Sequence, residues 1–191
     1  GLGLIVDIVP NHLGVETPQL NAWWWDVLKN GQESEFEAYF DIDWHEDNGA
    51  GGKLGLPVLG QPGDEDKFEL VYLDEIDEPV LAYFDNYFPL APGSFGSLDD
   101  DPREVYDKQS YRLMFWRDGV ISYRRFFSVN GLAGIRQEDP LIFEHTHRTL
   151  RQIIAEELID GVRVDHPDGL ADPFTYLCLL YTSDAADEED S

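Results

Sequence analysis

GVRVDHPDGLADP, residues 161–173, sets five charged or imidazole side chains among small and apolar ones: Arg163, Asp165, His166, Asp168 and Asp172. VRVD (162–165) reads as a short strand. With a period of two, Val162 and Val164 face one way while Arg163 and Asp165 face the other. A guanidinium beside a carboxylate favours the ionised acid, the state a nucleophilic carboxylate needs. A structural ion pair is the competing reading of the same spacing.

Working outward, the preceding stretch 140–159 reads as the best-marked helix. Asp139 is a suitable N-cap and Pro140 fits the first helical position. Phe143, His147, Leu150, Ile154 and Leu158 recur on one face, and Gly161 is placed to end the helix in the left-handed conformation. Near the start, GLIVDIV (3–9) is an apolar run broken by one acid, which predicts a strand buried on both faces. Pro10 stops its ladder. Asp7, Asn11 and His12 thus fall at or just beyond its C-terminal end. Strand, excursion, helix and strand predict a parallel α/β architecture. In (β/α)8 barrels the chemistry sits at the C-terminal rim of the strands, and a whole barrel takes roughly 250 residues. The chain is therefore expected to be a fragment of such a TIM barrel.

The excursion, residues 13–120, reads as an inserted α+β subdomain. Trp23–Trp25 begin a short helix ending near Asn30–Gly31. Residues 45–66 are rich in glycine and acid and read as loop. FELVYL (68–73) and PVLAYF (79–84) predict a hairpin. A helix is expected from Pro102 to about Trp116, and ISYRRFF (121–127) has strand composition. HEDNG (45–49) lacks the alternating ligands of a calcium loop.

YRRFFSVNGLAG (123–134) holds an adjacent basic pair, Arg124–Arg125, among aromatics. Aromatic faces with polar neighbours suit sugar rings, so Tyr123, Arg124, Arg125 and Asn130 are candidate substrate contacts, with Trp24 from the tryptophan run. The alternative places Phe126, Phe127 and at least one tryptophan in the core and pairs the arginines with surplus acids.

Composition narrows the partners. The formal charge of −26 argues against nucleic acid and against an anionic membrane surface. Hydrophobic residues at 42% and aromatics at 13% are enough for a core, which excludes an acidic disordered tail. One cysteine, Cys178, permits neither an internal disulfide nor a cysteine-based metal cluster. The opening Gly1, inside an apolar run, also fits a piece of a longer chain.

DIVPNH followed by GVRVDHPDGLADP resembles the first two conserved segments of the α-amylase superfamily (glycoside hydrolase family 13) of retaining glycosidases and transglycosylases. Within it, GLGLIVDIVPNHLGV, NAWWWDVLKNG, YFDIDW, LPVLG, YFDNYFPL, YRRFFSVNGLAG and DGVRVDHPDGLADP, in that order, are similar to the maltooligosyltrehalose synthase family. The resemblance covers residues 1 to about 177. It implies barrel strands 3 and 4, with residues 1–12 carrying one strand, 13–120 inserted, and 121–177 carrying the helix and the nucleophile strand. Asp165 would be the nucleophile and Arg163 its holder. Asp7, Asn11 and His12 would shape the subsite on the non-reducing side, and His166 and Asp168 the acceptor region. The implied reaction converts the reducing-end α-1,4 bond of a maltooligosaccharide into an α,α-1,1 bond. No metal or organic cofactor is implied. The expected setting is cytoplasmic, coupled functionally to a trehalose-releasing hydrolase. An amylase-type hydrolase and a non-catalytic α-glucan-binding module are the alternatives.

CLLYTSDAADE, residues 178–188, resembles translated sequencing-adapter read-through, which would make 178–191 a non-native tail and Cys178 artefactual. The general acid, expected as a Glu on the next strand, then lies outside the chain, and the isolated fragment is expected to be inactive.

Overall fold

The computed structural model describes residues 2–188, with side chains through residue 182. β1 (Ile5–Ile8) and β2 (His12–Gly14) flank Pro10. The first helix, α1 (Ala22–Asn30), is capped by Asn21, whose side chain accepts from the Trp24 amide, and closes on Gly31 at φ 60. Three strands follow β3 (Leu54–Leu59): β4 (Phe68–Leu73), β5 (Glu78–Tyr83) and β6 (Asn86–Pro89). Then come α2 (Pro102–Asp107), β7 (Tyr111–Phe115), β8 (Leu132–Gly134), α3 (Pro140–Ala155), β9 (Gly161–Val164) and α4 (Pro173–Glu188).

The strands of the described residues form four small sheets. β1 and β9 are parallel, with Asp7 opposite Arg163, and α3 lies between them in sequence. β2 and β8 are antiparallel, with His12 opposite Gly134. β3 and β7 are parallel, and β4, β5 and β6 form an antiparallel meander. The result is a mixed helix and strand structure with no closed barrel among the described residues. None of the described helices is long and apolar enough to cross a membrane.

The main core belongs to the excursion. Trp24, Val27 and Leu28 from α1 pack with Phe40, Leu54, Leu81, Phe88, Tyr111 and Leu113. A smaller cluster joins Phe143, Leu170 and Tyr176. The strand expected to be buried on both faces is not: Leu4, Ile5 and Val9 are exposed. Among the described residues β1 pairs with β9 alone; Val6 and Ile8 on one face are half-buried, while Ile5 and Asp7 on the other are exposed.

Several predicted elements shift. Leu54–Leu59 is a strand inside the glycine-rich stretch read as loop. Its Pro57, lacking an amide donor, sits where the ladder shifts register. The helix from Pro102 stops at Asp107, and the buried Gln109 donates to the Val105 carbonyl, 2.6 Å away, at its end. Tyr111–Phe115 then runs as strand, burying Tyr111 and Leu113 in alternation. Residues 121–127 form only single bridges, Tyr123 with Ile42 and Arg125 with Ala133, because successive residues bond to different partners. α3 ends at Ala155, and the left-handed residue after it is Glu157, not Gly161. Leu158 is consequently off the helix and exposed.

Candidate active site

The parallel β1–β9 pair delivers its polar residues to one rim. Arg163 donates from Nη1 to Asp7 and from Nη2 to Asp165 Oδ1, the latter at 3.0 Å. The hydrogen bond and charge of Asp7, then the charge of Asp165, raise the Arg163 pKa. The Asp165 amide donates to the Ile8 carbonyl at 2.9 Å, continuing the ladder one residue past β9.

Asn11 is fully buried and ties the two segments together. Its Nδ2 donates to the His166 carbonyl at 2.6 Å, and its Oδ1 lies 2.5 Å from His12 Nδ1. That pairing requires the Nδ1–H tautomer, leaving His12 Nε2 as an acceptor. Burial, reinforced by the charge of His166, lowers the His12 pKa and favours the neutral ring. Phe126 stacks on His12 with centroids 4.8 Å apart and meets His166 edge-on at 5.6 Å. His166 itself is left-handed, at φ 50 and ψ 49. Its ring lies 3.9 Å from Asp165 Oδ2 and 3.8 Å from the exposed Asp168.

Asp7, Asn11, His12, Arg163, Asp165, His166 and Asp168 are thus assembled at one place. The remaining candidates are placed differently. Trp24 is 1% exposed, packed edge-on against Phe40 and Tyr123. It is a core residue away from the rim, because its position on α1 faces inward. Tyr123 is buried, donates to the Asn130 carbonyl at 2.7 Å and has its pKa pushed up to about 12 by burial, opposed by Arg125. Arg125 donates to Asn130 Oδ1 and to the Ser128 carbonyl, closing the local turn. Arg124 is occupied by protein acceptors: Asp41 at 2.7 Å, Gly169 O at 3.2 Å and Ile135 O at 3.2 Å.

Two contributors escaped the sequence reading. Phe126, weighed as core or sugar platform, is a spacer between two imidazoles. Asp41 stood inside YFDIDW without a role, and it anchors Arg124. A concavity of 720 Å3 opens behind Arg124, beside Trp44, His45 and Ser122, and contains neither Asp165 nor His166. In the rim group Asp7, Arg163, His166 and Asp168 are exposed, His12 and Asp165 are half-buried and Asn11 is buried.

A putative maltooligosyl trehalose synthase of Mycobacterium tuberculosis is 47% identical over 180 residues, which is 94% of this chain. The chain is similar to part of a maltooligosyl trehalose synthase. It spans about 22% of the length of that curated relative. The solved maltooligosyltrehalose synthase of Arthrobacter ramosus superposes with a TM-score of 0.84 at 51% identity, covering 96% of this chain and 23% of the other. A Sulfolobus tokodaii hypothetical maltooligosyl trehalose synthase gives 0.79 at 39% identity, covering 96% and 23%. No family model matches the chain. These synthases are alike over nearly all of this chain, so the rim group lies within a shared fold.

Proposed function

We propose that the chain is part of an intramolecular transglycosylase, a (1→4)-α-D-glucan 1-α-D-glucosylmutase, with β1 and β9 as strands 3 and 4 of a (β/α)8 barrel and residues 13–120 as an insertion. The observation that carries the reading is Arg163 holding Asp7 and Asp165 at one rim. In the retaining mechanism, Asp165 attacks the anomeric carbon of the penultimate glucosyl unit. The C1–O bond to the terminal glucose breaks as a second carboxylic acid, from a part of the polypeptide outside this chain, protonates the leaving oxygen. The released glucose stays bound and its own anomeric hydroxyl attacks the glycosyl-enzyme. Its proton returns to the second carboxylate, and Asp165 is freed.

Asp7, Asn11 and His12 would border the donor sugar, with His166 and Asp168 on the acceptor side. Tyr123, Arg125 and Asn130 would support that wall. None of these steps draws on a metal or organic cofactor. The isolated chain is inactive in this scheme, and residues 178–191 contribute nothing to it. The product would pass to a trehalose-releasing hydrolase in the cytoplasm.

The test is maltopentaose supplied to the full-length protein. A non-reducing product supports the reading, whereas glucose and shorter maltooligosaccharides alone would assign an amylase-type hydrolase. A 5-fluoroglycosyl adduct on a residue other than Asp165 would remove the nucleophile assignment.

A further inference from the structure

We propose that Asp41 and Arg124 are positioning residues that clamp the loop His166–Gly169 and thereby decide whether the glycosyl-enzyme is captured by the retained sugar or by water. The inference rests on the transglycosylase reading above.

Arg124 joins three stretches that are remote in sequence. Nε meets Asp41, Nη1 meets the Gly169 carbonyl and Nη2 meets the Ile135 carbonyl. Asp41 is held in turn by Arg136, at 2.8 Å on its other oxygen. Burial alone would raise the Asp41 pKa, but hydrogen bonds from Arg124 and Arg136 outweigh it and lower it. The carboxylate therefore stays charged and orients the Arg124 fork at neutral pH.

Two glycines make room for this contact. A Cβ on Gly134 would sit 2.7 Å from the Arg124 guanidinium carbon, so only glycine lets the guanidinium lie across β8. A Cβ on Gly169 would sit 2.6 Å from Asn11 Nδ2 and 2.8 Å from Phe126. The loop is thus fixed from three sides, by Asn11, Phe126 and Arg124. It carries His166 in a left-handed conformation that a non-glycine side chain keeps only when its surroundings impose it. Releasing one side lets His166 relax and opens the acceptor side to water, and exclusion of water is what separates transfer from hydrolysis there.

The experiment uses the full-length enzyme and maltopentaose, reading trehalosyl product against free glucose as a ratio. Arg124→Lys keeps the charge on Asp41 but cannot fork to both carbonyls. Gly134→Ala keeps both clamp residues and displaces the guanidinium. Asp41→Asn removes the anchoring charge. Each should raise the glucose share several-fold while total bond cleavage changes less. Tyr83→Phe, which removes a hydroxyl bonded to Asp64 in the distant hairpin, should leave the ratio unchanged.

Variants that lose turnover with the unaltered enzyme's ratio would overturn the clamp, as would an equal shift in Tyr83→Phe. An unaltered enzyme that forms no trehalosyl product would instead overturn the transglycosylase reading itself.

Discussion

Asp7 and Arg163 are direct partners in the parallel register of β1 and β9, and the Arg163 guanidinium bonds the Asp7 carboxylate across the pair while reaching Asp165 two residues along its own strand. One cation thereby fixes two carboxylates that are 158 positions apart in sequence. The group is surface-exposed on this chain, so its value lies in aiming the acids more than in holding the fold.

Arg163→Lys should separate those two roles. An ammonium keeps the charge but cannot serve both carboxylates in one planar fork. Turnover of the full-length enzyme should fall by about 100-fold, with the melting temperature and circular dichroism of the variant close to those of the parent. Unchanged turnover with a lowered melting temperature would make Arg163 a structural ion pair.

Gly169→Ala should destabilise the protein by about 1–3 kcal/mol, the range for forcing an extra methyl into a filled site. The added carbon has nowhere to go between Asn11 and Phe126. Urea unfolding measures the loss, and a neutral result would mean the loop is less tightly seated than its contacts require.

Trp24→Ala should cost about 3–5 kcal/mol, as for other large-to-small changes in a packed core. The side chain is buried against Phe40 and Tyr123. Chemical denaturation is the measurement. Weakened sugar affinity without loss of stability would restore Trp24 as a substrate contact.

Acidification should weaken the fold through His12 and His147. Burial lowers the pKa of both rings, with His166 adding to the effect at His12 and with the Phe143 carbonyl and Glu144 partly opposing it at His147. The unfolded chain therefore binds protons first. Stability should fall as pH drops below about 6.5, the unfolded value, until the folded rings also protonate. His12→Gln should flatten this slope when melting temperatures are followed from pH 7.5 to 5. A parent protein with no slope in that window would contradict the assignment.

Local patterns foretold the elements with strong punctuation. Gly31 closes α1, Asp139 and Pro140 open α3, and the β-type run FELVYL marks β4. The reading failed where a residue's state depends on a remote partner. Leu54–Leu59 looked like loop because glycines surround it, yet β7 supplies its ladder. Residues 121–127 looked like strand, yet their bonds divide between Asp41 and the 132–134 segment. Phe126 could have been core or platform until His12 and His166 were seen on either side of it.

The order of residues alone determined that Arg163 and Asp165 would share one face, that Pro10 would end a strand carrying Asp7, and that a capped helix would separate the two strands, because these follow from backbone periodicity and hydrogen-bonding capacity over a few residues. Only the tertiary structure decided that Arg163 meets Asp7, that Asn11 holds His166, and that Arg124 spends its donors on Asp41, Ile135 and Gly169. Those pairings join residues 11 to 156 positions apart, where register and packing, not local preference, select the partner.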